Sequence, residues 1–125
     1  MNTTKKIAKI EASLFNTIYK YLEITIPLHK LQLSQVKLLA IILHQYHIST
    51  EKDEIDKWAK IFEYDNRIKI RERLSDMSEG SFNNHLSHLR KKGVIKNNRV
   101  NPAYNPSIQK EADVFELVIR FNIKK

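Results

Sequence analysis

The chain has 125 residues, 42% of them apolar and 29% charged, with a formal charge of +8 and a sequence pI near 9.7. This length supplies one domain with its own core, and the basic balance favours a polyanionic partner: DNA, RNA or an anionic membrane surface. With no cysteine and only two glycines, disulfide frameworks, thiolate metal sites, phosphate-cradling glycine loops and nucleophile elbows are excluded.

The N-terminus, MNTTKKIAKIEASLF, lacks a long apolar core with a small-residue cleavage site. The LLAIIL run at Leu38 to Leu43 is too short to span a bilayer and reads as core. The expected location is the cytoplasm, with no membrane partner.

Ile7, Ile10, Leu14, Ile18 and Tyr21 recur at helical spacing and predict an N-terminal helix over residues 5–20, docked on the main core or on a second subunit. Tyr21 to Ile26 alternates apolar and polar residues before Pro27, which predicts a short strand. Ser34 is then the expected N-cap of a helix reaching His47, with Val36, Leu39, Leu43 and Tyr46 in one stripe widened by Ala40 and Ile42. That breadth marks it as the central helix. Ile55, Trp58, Ala59 and Phe62 predict an amphipathic helix within Glu51 to Tyr64, its first turn rich in acids that complement the helix dipole. Residues 66–74 predict another helix, with Ile70 and Leu74 inward.

The stretch from Arg71 to Ile95 is the most informative. On a helical wheel Phe82, Leu86 and Leu89 form one narrow stripe, whereas Asn84, Ser87 and Lys91 lie nearly opposite. The outward set of Ser81, Asn83, Asn84, Ser87, His88 and Lys91 carries hydrogen-bonding groups suited to base edges and phosphates. Arg90, Lys91 and Lys92 complement the C-terminal dipole, and Gly93 stands where a left-handed cap is needed. Residues 77–110 hold six basic side chains against one acid, whereas residues 51–76 hold seven against eight. The positive excess is thus concentrated here and at the N-terminus.

Farther on, VFELVIRFNI at residues 114–123 alternates as a strand does, and Val94 to Val100 is its expected partner. The intervening NPAYNPSIQKEAD has two Asn-Pro steps that favour turns. Lys96, Arg99 and Lys110 are placed to meet phosphates from this region, and Tyr104 either lies against sugar or closes the loop on the core.

A helix ending near Leu74, a turn at Ser75 to Ser78, the helix SFNNHLSHLRKK and then GVI resemble a winged helix-turn-helix over about the second half of the chain. The resemblance implies an α+β, mostly helical fold in a single domain over residues 1–125. Its parts are an N-terminal extension at 1–30, a helical core at 34–93 and a β-hairpin wing at 94–123. It implies that Ser78 to Lys92 is a recognition helix entering the major groove, with the wing along the neighbouring backbone. NPAYNP is also similar to segments following that helix in some phage and plasmid replication initiators.

Two His-x-x-His pairs, His44 with His47 and His85 with His88, have a spacing that two metal ligands on a helix can share, but no Cys or carboxylate is spaced to complete either site. Neither a metal nor any other cofactor is expected, and no enzyme activity. The expectation is a sequence-specific double-stranded DNA-binding protein acting as a transcriptional regulator or replication-initiation accessory. Ser78, Ser81, Asn83, Asn84, Ser87, His88, Lys91, Lys92, Lys96 and Arg99 would contact DNA, with a homodimer through the N-terminal helix as a possible partner arrangement. The alternative is a protein-docking module of a replication, transcription or assembly complex; RNA binding is disfavoured by the lack of an RNP-like aromatic run.

Overall fold

A computed structural model describes residues 2–125. Six helices succeed one another: α1 (Leu14–Ile24), α2 (Ile26–His29), α3 (Leu33–Ile48), α4 (Glu54–Ile61), α5 (Tyr64–Glu72) and α6 (Glu79–Lys91). A single 3-10 turn, Pro102–Tyr104, follows. No sheet forms among the described residues, and the only β pairing is an isolated antiparallel bridge between Ile95 and Val100. The α+β winged helix-turn-helix expectation is therefore overturned: the fold is helical and carries no C-terminal hairpin wing.

The reason lies in where backbone hydrogen bonds go. After Ile95 the chain reverses through Asn97 and Asn98, both left-handed (φ 55° and 53°), and the flanking residues exchange Lys96 N–H to Arg99 O (2.9 Å) and Arg99 N–H to Lys96 O (3.3 Å). Asparagine tolerates this region, and paired left-handed residues define the two-residue turn that joins antiparallel neighbours. Residues 94–100 thus close on themselves and are not available to residues 114–123. A strand pattern without a partner strand makes no ladder, and residues 114–123 form no regular element.

α3 is the centre. Val36 and the unbroken run Leu38 to Leu43 are buried, so that run is apolar all round, as a helix segment enclosed by others must be. α1 packs along it through Ile18 and Leu22, and α4 and α5 approach from elsewhere through Trp58, Ile61 and Ile70. Phe82, Leu86 and Leu89 of α6, with Val94, Ile95 and Val100, belong to the same buried cluster. α3 is capped two residues earlier than expected, by Gln32 and not Ser34, and the Gln32 N–H donates to the buried Gln35 side chain at 3.2 Å.

Two further expectations fail near the N-terminus. Residues 2–13 are not helical, because Ser13 in extended conformation caps α1, its hydroxyl accepting from Asn16 N–H at 3.1 Å. Ile7 and Ile10 continue the helical spacing of α1, but both are exposed, so no burial holds that turn in a helix. Residues 21–26 are not a strand either. Leu22 lies one turn after Ile18 on the buried face of α1, and Thr25, whose hydroxyl bonds the Tyr21 and Leu22 carbonyls, joins α1 to α2. Pro27 falls in the first turn of α2, where its missing N–H costs nothing. His29 then ties α2 back to α1: its Nδ1 accepts from Leu31 N–H (3.1 Å), so Nε2 carries the proton donated to Leu22 O (2.8 Å).

α4 is fastened by an aromatic stack. Tyr46 and Trp58 lie face to face, centroids 4.3 Å apart and 13° from parallel, and Glu54 accepts from both the Tyr46 hydroxyl (2.7 Å) and the Trp58 indole N–H (3.2 Å). Each polar handle of the stacked pair thus has its acceptor.

Candidate nucleic-acid interface

α6 begins at an N-cap Ser78 whose hydroxyl accepts from Ser81 N–H at 3.1 Å, and it ends at Lys92. Its bounds, counting the caps, are those expected from Ser78 to Lys92. The end is a complete Schellman motif: Gly93 N–H donates to Arg90 O (3.1 Å) and Val94 N–H to Leu89 O (2.9 Å), with Gly93 left-handed at φ 77°. Ile95 N–H also reaches Leu89 O, so the Asn97-Asn98 turn is fastened directly to the last turn of α6.

Phe82, Leu86 and Leu89 hold the inner side of α6 in the core, and this burial orients the rest. Asn83, Asn84, Ser87, His88 and Lys91 are exposed, and none of their side chains has an intramolecular hydrogen bond or ion pair among the described residues. Asn84, Ser87, His88 and Lys91 share one face at the i, i+3, i+4 and i+7 positions. Lys96 and Arg99 flank the exposed turn, and among the described residues their side-chain cations have no partner. The lone acid of residues 77–110, Glu79, sits at the opposite end of the helix and is paired with Arg71 at 3.6 Å.

Three of the expected contact residues have other employment. Ser78 spends its hydroxyl on the helix cap, and Ser81 is half-buried. Lys92 Nζ donates to the carbonyls of His29 (3.4 Å) and Lys30 (3.3 Å), tying the end of α6 to the end of α2. No sequence signal announces that contact, because its partners are more than sixty residues apart. Conversely, the exposed Asn97 and Asn98 and the exposed Arg90 belong to this surface and were not anticipated. The signal for the first two is present, since Asn-Asn between β-branched Ile95 and Val100 reads as a two-residue turn.

Tyr104 closes on the protein: it is half-buried against the core, its ring 6.4 Å from that of His29. The Asn-Pro steps serve that closure. Asn101 accepts from Ala103 N–H (3.0 Å) and donates to Gly93 O (3.3 Å), and the Asn105 carboxamide oxygen accepts from Ser107 N–H (2.8 Å) and meets the His47 ring at 3.3 Å.

Of the histidine pairs, His44 and His47 are half-buried on α3, and burial pushes both imidazoles below their ordinary value, the Arg73 cation adding to the effect at His44. His44 meets the Phe15 ring edge-on at 5.6 Å. No cluster of three or more His, Asp or Glu side chains gathers among the described residues, and no described helix is long and apolar enough to cross a membrane. Compared with known proteins, the chain matches no family model, no curated protein and no solved structure.

Proposed function

We propose that this chain binds double-stranded DNA through the outward face of α6 and the adjoining Lys96–Arg99 turn, without catalysis, in a regulatory or replication-initiation role. One observation carries the reading: Asn83, Asn84, Ser87, His88 and Lys91 are exposed without intramolecular partners on a helix whose other side is locked in the core. Lysines and arginines neutralise phosphates and make binding salt-dependent. Asparagine presents a donor and an acceptor in the spacing that adenine offers in the major groove. With no wing present, base reading falls to α6 alone and backbone contact to Lys91, Lys96, Arg99 and Arg90.

The test is fluorescence anisotropy of the purified chain on random-sequence duplex DNA across a salt series, with single-stranded DNA and RNA as competitors. Steeply salt-dependent binding that prefers duplex is the expected result. Absence of binding at low salt overturns the reading and favours the second one, a protein-docking module, for which the exposed Ile7 and Ile10 of the N-terminal segment speak.

A further inference from the structure

The C-terminal segment is the largest unexplained feature of the surface. Residues 114–123 carry Val114, Phe115, Leu117, Val118, Ile119, Phe121 and Ile123, and the backbone from residue 113 onward makes no hydrogen bond to the rest of the chain among the described residues. An apolar, β-branched, unpaired segment is a template for strand pairing. It is also not randomly placed. Phe115 is half-buried, its ring 5.9 Å from Tyr21 of α1 at 77°, and exposure alternates from there, with Leu117 38%, Val118 79% and Ile119 51% exposed. The odd-numbered set is the less exposed one, anchored by Phe115 at Tyr21 of α1, until Phe121, at 83%, stands out in solvent.

We infer that two copies of this chain dimerise by pairing their 114–123 segments as antiparallel strands about a two-fold axis at Val118. Only in that register does Glu116 stand opposite Arg120. With Val118 opposite its own copy, Leu117 faces Ile119, Glu116 faces Arg120 and Phe115 faces Phe121, each pair occurring twice by symmetry. Sliding by two residues in either direction puts Glu116 and Arg120 opposite uncharged residues, and sliding by four puts one of them opposite itself. A one-residue slip exchanges the two faces. Parallel in-register pairing stacks Glu on Glu and Arg on Arg, so the charges also disfavour open-ended association. The pairing supplies cover for the protruding end as well: Phe121 of one copy lies across from Phe115 of the other, beside that copy's Tyr21. A two-stranded ribbon needs a surface to rest on, and α1 of each copy provides it.

Sedimentation measures the association, and the variants are chosen at exposed positions so that helix content by circular dichroism stays that of the wild type. The wild type is expected to dimerise at micromolar concentration. Glu116→Arg and Arg120→Glu each replace two attractions by two repulsions and should weaken the dimer at least about tenfold, whereas the double swap should restore it. Because the chain has no cysteine, Val118→Cys should give a disulfide-linked dimer under mild oxidation while Val114→Cys, far from its own copy in this register, should not. A monomeric wild type, a dimer indifferent to the single reversals, no rescue by the double swap, or equal crosslinking at both cysteine positions would each overturn the inference. DNA affinity plays no part in these readouts.

Discussion

The ammonium of Lys92 sits 3.3 Å from the carbonyl oxygen of Lys30, which occupies the left-handed cap of α2 at φ 58°. The neighbouring Lys91 has no partner among the described residues and is exposed on the last turn of α6. Adjacent lysines therefore have different tasks. Lys91→Ala should weaken binding to all duplex sequences alike and lower the slope of log affinity against log salt by about one, with stability unchanged. Lys92→Ala should instead lower unfolding stability by up to about 1 kcal/mol, because the contact is solvent-exposed. Paired denaturant titrations and anisotropy curves separate the two effects.

Asn84 stands at the middle of the outward face, and its carboxamide is unengaged. If it reads an adenine, Asn84→Ala should cost about 1–3 kcal/mol on a selected site and almost nothing on random duplex. Equal losses on both DNAs would remove the base-reading role and leave backbone contact only.

The two glycines should respond oppositely to alanine. Gly93 has φ 77°, a conformation that a Cβ makes strained even though the surrounding space is open, so Gly93→Ala should destabilise by about 1–2 kcal/mol. Gly80 lies in the first turn of α6 with nothing within 4 Å of an added Cβ, and Gly80→Ala should stabilise by about 0.4–1 kcal/mol. Chemical denaturation midpoints at unchanged m-value report both.

Two titrations define the pH range of stability. His44 and His47 are held below the ordinary 6.5 chiefly by burial, so the folded state prefers them neutral. Their contribution is present above pH 6.5 and is lost as pH falls through the depressed values. Tm should drop on acidification below that point, and less so in a His44→Gln/His47→Gln variant. At the alkaline end Tyr46 is pushed up to about 12 by burial and by the Glu54 carboxylate that accepts its hydroxyl. The folded state holds that proton more tightly, so stability is retained below the ordinary 10.0 and is lost as pH rises toward 12. In Tyr46→Phe that alkaline loss should be smaller.

Elements whose partners lie nearby in sequence are legible in the sequence itself. α6 is the clearest case: Ser78, the Phe82, Leu86 and Leu89 stripe, the basic last turn and Gly93 all act within one helix, and each does locally what its chemistry suggests. The candidate contact residues on its outer side follow from the same periodicity. Residues 21–26 and 5–13 depart from expectation for opposite reasons: α3 buries Leu22 and holds the alternating 21–24 stretch in α1, whereas nothing buries Ile7 and Ile10, so their helical spacing goes unrealised.

What the sequence determined by itself is the set of helices that carry their own caps and apolar stripes, the basic bias of residues 77–110, and a C-terminal segment with the alternation of a strand. Only the tertiary structure decided that the strand pattern finds no partner within its own chain, that Lys92 belongs to the fold and Lys91 to the surface, and that Tyr104 closes a loop. The physical reason is that a cap or a helical stripe is satisfied by residues within a turn or two, whereas a strand, a long cation or a loop aromatic is satisfied by whatever surface the rest of the chain brings to it.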